Sequence, residues 1–148
     1  MGLGNYTAGD DAIGVRVIEY IAEHNLEDGF RAIDMGANSL NLVAYLDPDT
    51  TAILAIDATK MGEAPGEVAF FTPNEVQSHK ELRGLSTHEG DLLTVLEIAK
   101  QAGYPIPPIV IMGIEPKSLQ PSMDLTPELG KKIKHYSELA ISHLKTMP

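Results

Sequence analysis

Apolar positions along the chain fall into alternating helix-like and strand-like runs. Ile13, Val17 and Ile21, with Tyr20 between them, recur at helical spacing and predict a helix from about Asp11 to Asn25, after which Asp28-Gly29 turns the chain. Phe30 to Ile33 reads as a short strand ending in Asp34-Met35-Gly36. Leu40, Val43 and Leu46 then read as a brief helix that Asp47-Pro48-Asp49 stops. The clearest strand is Thr51 to Ile56, nearly all apolar, as expected for a strand covered on both faces of a parallel sheet; Asp57 follows at its C-terminal end.

Beyond the turn residues of Lys60 to Gly66, Glu67 to Phe71 predicts another strand. The polar stretch Asn74 to Thr87 reads as a short helix plus loop or as a flap over a site, with His88 at its end. Leu92, Leu93, Leu96 and Ala99 predict a crossover helix over Gly90 to Ala102, closed by Gly103. Ile109 to Met112 is a buried-strand candidate, and Thr126-Pro127 marks the start of a last helix with an apolar stripe of Leu129, Ile133, Tyr136, Ala140 and Leu144. This alternation predicts one three-layer α/β/α domain over residues 1–148, with a largely parallel sheet, one antiparallel strand allowed, and a site beyond the C-terminal strand ends. Only Met1 precedes the Gly2-Leu3-Gly4-Asn5 turn, so the first strand reads as truncated and the true start is expected upstream.

Composition narrows the chemistry. With 148 residues and 43% apolar content the chain suits a single domain with a real core. No run approaches the ~20 apolar residues of a membrane span, and no basic, apolar leader is present, so a cytoplasmic protein is expected. Tyr6 stands where a myristoylation signal wants Ser or Thr. A net charge of −10 argues against nucleic acid as a partner, and the absence of cysteine rules out thiolate sites and a cysteine nucleophile. Any metal ligands must be nitrogen or oxygen.

The glycine-rich turn at the N-terminus would ordinarily suit phosphate, but Asp10 and Asp11 occupy that helix start and favour a cation. Asp11 after the first strand, Asp57 at the end of a central strand and His88 before a crossover helix can face one crevice; two carboxylates and an imidazole suit a divalent first-row metal with open positions. Each residue also has an ordinary structural reading. Asp10 or Asp11 can cap the helix, Asp57 can be a loop residue, Asp34 can cap the turn that follows it, and a lone histidine near a helix start is common.

Taken together, Gly2-Leu-Gly-Asn5 with Gly9-Asp-Asp11-Ala-Ile-Gly14, Ile56-Asp-Ala-Thr59 with Gly62 and Pro65-Gly-Glu67, Ser86-Thr-His88, and Gly113-Ile-Glu-Pro116 give the chain, over nearly its whole length, a pattern that resembles the hydrogenase maturation proteases. The resemblance implies a cytoplasmic endopeptidase that removes a short C-terminal extension from the precursor of a nickel-iron hydrogenase large subunit after nickel insertion, with nickel as the recognition signal. The nickel-contacting residues would fall on Asp11, Asp57 and His88, and the nickel would arrive with the substrate. Nickel so held would position the scissile peptide and could polarise an attacking water, and Asp34, where the family carries an acid near the cleft, is the catalytic candidate to orient that water.

Two departures from the family pattern stand out: Ala12 replaces a glycine, and Met35-Gly36-Ala37 replaces paired glycines and a threonine. The same ligands would also serve a non-proteolytic nickel-binding accessory or sensor protein, which release of a defined peptide would exclude. A nucleotide-binding domain is disfavoured by Asp10-Asp11 and by the missing P-loop lysine.

Overall fold

A computed structural model of the chain describes residues 1–75 and 87–148, with residues 87–91 described by their backbone alone. Among these residues the strands Gly2–Leu3 (β1), Asp34–Gly36 (β2), Ile53–Ala58 (β3), Val68–Phe71 (β4) and Ile109–Ile114 (β5) form one sheet in the order β2-β1-β3-β5-β4. Neighbours are parallel except β4, which pairs antiparallel with β5. The helices are Ile13–Glu23 (α1), Thr87–Gln101 (α2) and Ile133–Thr146 (α3), with 3-10 turns at Gly9–Ala12 and Ser39–Tyr45. No helix among the described residues is long and apolar enough to cross a membrane.

Two cores flank the sheet because successive strand side chains point to opposite faces. From β3, Ile53 and Ala55 pack with Leu42 and Leu46 of the second 3-10 turn and with Leu92, Leu96 and Ala99 of α2. Leu54, Ile56 and Ala58 pack instead with Ile13, Val17 and Ile21 of α1 and with Tyr136 and Ala140 of α3. The architecture is therefore the expected three-layer sandwich with one antiparallel strand.

Local boundaries differ from the sequence reading in four places. Phe30–Ile33 is not a strand; β2 begins at Asp34, because β1 offers partners only to Asp34 and Gly36, and the Ala32 N–H is held by Glu27 Oε1 at 2.7 Å. Asp57 lies within β3, since Gly113 and Ile114 extend the pairing past Ile56. His88 sits in the first turn of α2 and not ahead of it. Finally, Pro127–Gly130 makes its own short helix before α3, and Thr126 uses its hydroxyl elsewhere than in capping it. Most of the polar stretch Asn74 to Thr87 lies outside the described residues.

The contact that positions everything near the N-terminus is glycine on glycine. A Cβ on Gly14 would be driven into the carbonyl oxygens of Leu3 and Ile56 and would lie 2.9 Å from Leu3 N, while one on Gly2 would strike the Gly14 carbonyl. Gly4, at φ +147, is pressed in the same way against the Asp11 carbonyl. The first turn of α1 thus lies directly on the backbones of β1 and β3, a separation only glycine permits.

Asp10, completely buried, ties this turn to the strap 117–126. Its Oδ2 accepts from the N–H groups of Lys117 (2.9 Å) and Ser118 (3.1 Å), and its Oδ1 from Thr126 N–H (2.8 Å). The Thr126 hydroxyl donates to the same carboxylate, at 2.8 Å from Oδ2. A carboxylate with this many donors is a well-solvated buried charge, and its loss strands the donors.

Gly14→Ala is expected to cost about 3 kcal/mol through overpacking against immovable backbone, lowering Tm by roughly 10 °C for a chain of this size. Thermal denaturation followed by circular dichroism measures this, and an unchanged Tm would contradict the close approach. Asp10→Ala should cost at least about 3 kcal/mol by leaving buried N–H groups unsatisfied, read in chemical denaturation as a lowered midpoint.

Candidate active site

The chain leaves β1 toward β2 on one side and returns to β3 on the other, so the direction of winding reverses around β1. Connections diverge at such a switch point and open a crevice beyond the C-terminal strand ends, where α/β sheets bind their ligands. Asp11, in the turn after β1, and Asp57, near the end of β3, both belong to this edge of the sheet.

Neither carboxylate is in open solvent. Asp11 is 8% exposed and Asp57 0%. Asp11 is oriented by Asn5, whose N–H donates to Oδ2 at 2.9 Å. Asp57 shares the strand parity of Ile53 and Ala55, and so belongs to the face that α2 covers. Two acids are thus held below the surface at one edge of the sheet.

The loop beyond Asp57 is pinned at several points. Glu115 Oε1 accepts from the N–H groups of Met61 and Glu63, both at 2.8 Å, and the Gly66 N–H donates to the Glu115 carbonyl at 2.8 Å. Tyr136, buried beneath, donates its hydroxyl to the Gly66 carbonyl at 2.8 Å; burial, reinforced by the charges of Asp10 and Glu67, pushes its ionisation up to about 12, so it stays a donor. The Thr59 N–H is held by the Ile114 carbonyl at 2.9 Å. The loop that follows Asp57 is therefore fastened to Glu115, just beyond β5, and to Tyr136 of α3.

Asp34 lies apart from this pair, exposed at the start of edge strand β2. Its Oδ2 accepts the Tyr6 hydroxyl at 2.6 Å and its Oδ1 the Gly36 N–H at 2.7 Å. Arg16 lies over the Tyr6 ring at 5.0 Å, with Nη1 on Glu19 (3.0 Å) and Nη2 donating to the Met123 carbonyl (2.8 Å). Burial and the bond to Asp34 raise the Tyr6 phenol well above its ordinary range. The His88 side chain lies outside the described residues, and among the described residues no three acids or histidines converge as a metal-binding cluster.

Sequence reasoning found the acids but not their division of labour. That Asp10, not Asp11, is consumed by the strap depends on residues more than a hundred positions away, which no local pattern reports. Glu115 and Tyr6 were missed as supports. For Glu115 the signal was available in an acid immediately after a buried strand; for Tyr6 there was none.

Residues 15–143 match the family model described as HycI, hydrogenase maturation protease. The chain is 27% identical over 146 residues to the hydrogenase 2 maturation protease of Escherichia coli, a match covering 98% of this chain and 88% of that protein. It is also 28% identical over 121 residues to the hydrogenase expression/formation protein HupD of Rhodobacter capsulatus, covering 81% of this chain. It spans little more than half, 57%, of that relative's length. Among solved structures, the hydrogenase maturating endopeptidase HybD from Escherichia coli superposes with a TM-score of 0.81 at 26% identity, over 97% of this chain and 89% of that one. A nickel-iron hydrogenase maturation protease, HycI from Thermococcus kodakarensis, gives 0.74 at 26% identity over 98% and 90%. With the family model spanning most of its residues, the chain belongs to the hydrogenase maturation protease family.

Proposed function

We propose that the protein is an endopeptidase that removes a short C-terminal extension from the large-subunit precursor of a nickel-iron hydrogenase, and that nickel already inserted in that substrate is its recognition signal. The observation that carries this reading is the pair of buried carboxylates, Asp11 and Asp57, at the switch point between β1 and β3. Family membership supplies the reaction class.

In this reading the nickel is part of the substrate and keeps the ligands the substrate gives it. Asp11 and Asp57 offer it oxygen donors, which suit a divalent ion with positions open to exchange. Parity supports including His88: Asp57 belongs to the face covered by α2, whose first turn contains His88, and α2 leads through residues 102–108 into the N-terminal end of β5, so it returns along the sheet. The three side chains would dock the metal and thereby fix the scissile peptide at one place, converting a weak encounter into an oriented one. A loaded precursor presents a divalent ion to the two carboxylates and an unloaded one does not, so discrimination comes from the charge that the substrate carries.

Asp57→Asn tests the proposal. The variant keeps the size and shape of the side chain, so folding should be retained, which a cooperative thermal transition would show. Processing of a nickel-loaded precursor, followed by mass spectrometry of its C-terminus, should fall by at least about 100-fold, the scale of losing a charged group that acts on the reacting centre. Processing at the parental rate by a folded Asp57→Asn variant would rule the assignment out.

A further inference from the structure

We propose that Asp34 is a positioning residue, which clasps the Gly4–Thr7 loop through Tyr6 and through Gly36 and so fixes the carboxylate of Asp11. This rests on the reading of Asp11 as a contact to the substrate's nickel.

The clasp closes on both sides of Asn5. On one side, Asp34 Oδ1 accepts the Gly36 N–H at 2.7 Å, and the Gly36 carbonyl accepts the Gly4 N–H at 2.8 Å. On the other, Asp34 Oδ2 accepts the Tyr6 hydroxyl at 2.6 Å. Asn5 is the residue between Gly4 and Tyr6, and its N–H is the group that holds Asp11 Oδ2 at 2.9 Å. Further restraints act in the same direction: Asn5 Oδ1 accepts from Thr7 N–H (2.9 Å) and Thr7 Oγ1 (2.8 Å), and the Thr7 carbonyl accepts the Ser122 N–H at 2.9 Å. Arg16 covers the Tyr6 ring, and the raised ionisation of the phenol keeps it a donor to Asp34.

Position argues against direct chemistry by Asp34. Gly2 pairs with Asp34 on one side and with Ile56 on the other. With neighbouring strands about 4.8 Å apart, Asp34 therefore stands roughly 10 Å from the strand that carries Asp57. Both Asp34 oxygens are moreover engaged within the protein, by Tyr6 and by Gly36.

The test uses Tyr6→Phe, Asp34→Ala, their double variant and Asp34→Asn in the full chain, with two readouts: amide hydrogen exchange at Asn5 by NMR, and the rate and pH profile of precursor processing. Tyr6→Phe and Asp34→Ala should each raise Asn5 exchange roughly 5- to 10-fold, the scale of one hydrogen bond, and slow processing by a similar factor, with no further loss in the double variant. Asp34→Asn should restore most of both, because its Oδ1 still accepts from Gly36 and its Nδ2 can donate to the phenol oxygen; the acidic limb of its pH profile should remain. Unchanged Asn5 exchange in Tyr6→Phe would overturn the proposal. So would an Asp34→Asn variant that loses processing, or its acidic limb, while Tyr6→Phe processes normally, since that is the behaviour of a base. If the parent itself fails to process the precursor while Asn5 exchange responds as described, the clasp stands and the proposed function falls.

Discussion

The approach of α1 to the backbones of β1 and β3 is the constraint from which the rest of the site follows. Gly2, Gly4 and Gly14 let backbone meet backbone at that contact. Because the helix start is lowered onto the sheet, the residues just before it, Asp10 and Asp11, are carried below the surface that a turn would normally occupy. Buried acids must be compensated, and the fold does this in two different ways. Asp10 turns toward the strap and is surrounded by its N–H and hydroxyl donors. Asp11 accepts the Asn5 N–H and lies at the same strand edge as Asp57.

This division shows how a stable scaffold and a reactive site share one short motif. The strap 117–126 and the loop beyond β3 are both fastened by buried side chains, Asp10 in one case, Glu115 and Tyr136 in the other. Asp11 and Asp57 lie at the switch point, where the connections diverge from the sheet.

Much of this was legible in the sequence, for identifiable reasons. The continuous apolar runs Ile53 to Ile56 and Ile109 to Met112 read as buried parallel strands, and the alternation of strands with amphipathic helices set the layers. Asp11 and Asp57 stood out because one follows a glycine turn and the other lies near the end of an apolar run, and the structure places both at the C-terminal edge of the sheet. What could not be read were features decided by distant partners. Thr126 holds the N-cap position its sequence suggests but spends its hydroxyl on Asp10; Phe30 to Ile33 looks like a strand, yet β1 bonds only its Ile33 carbonyl; Asp34 gives its oxygens to Tyr6 and Gly36. Partners of this kind are set by the tertiary fold and leave no mark on local propensity.

The account's central claim is that buried carboxylates at the switch point read a cation carried by the substrate. The direct test is to incubate the protein with nickel-loaded and nickel-free forms of a hydrogenase large-subunit precursor and to follow the C-terminus of each by mass spectrometry. Loss of one defined peptide from the loaded form alone is the predicted result, whereas equal cleavage of both forms, or binding of the loaded form without cleavage, would contradict it.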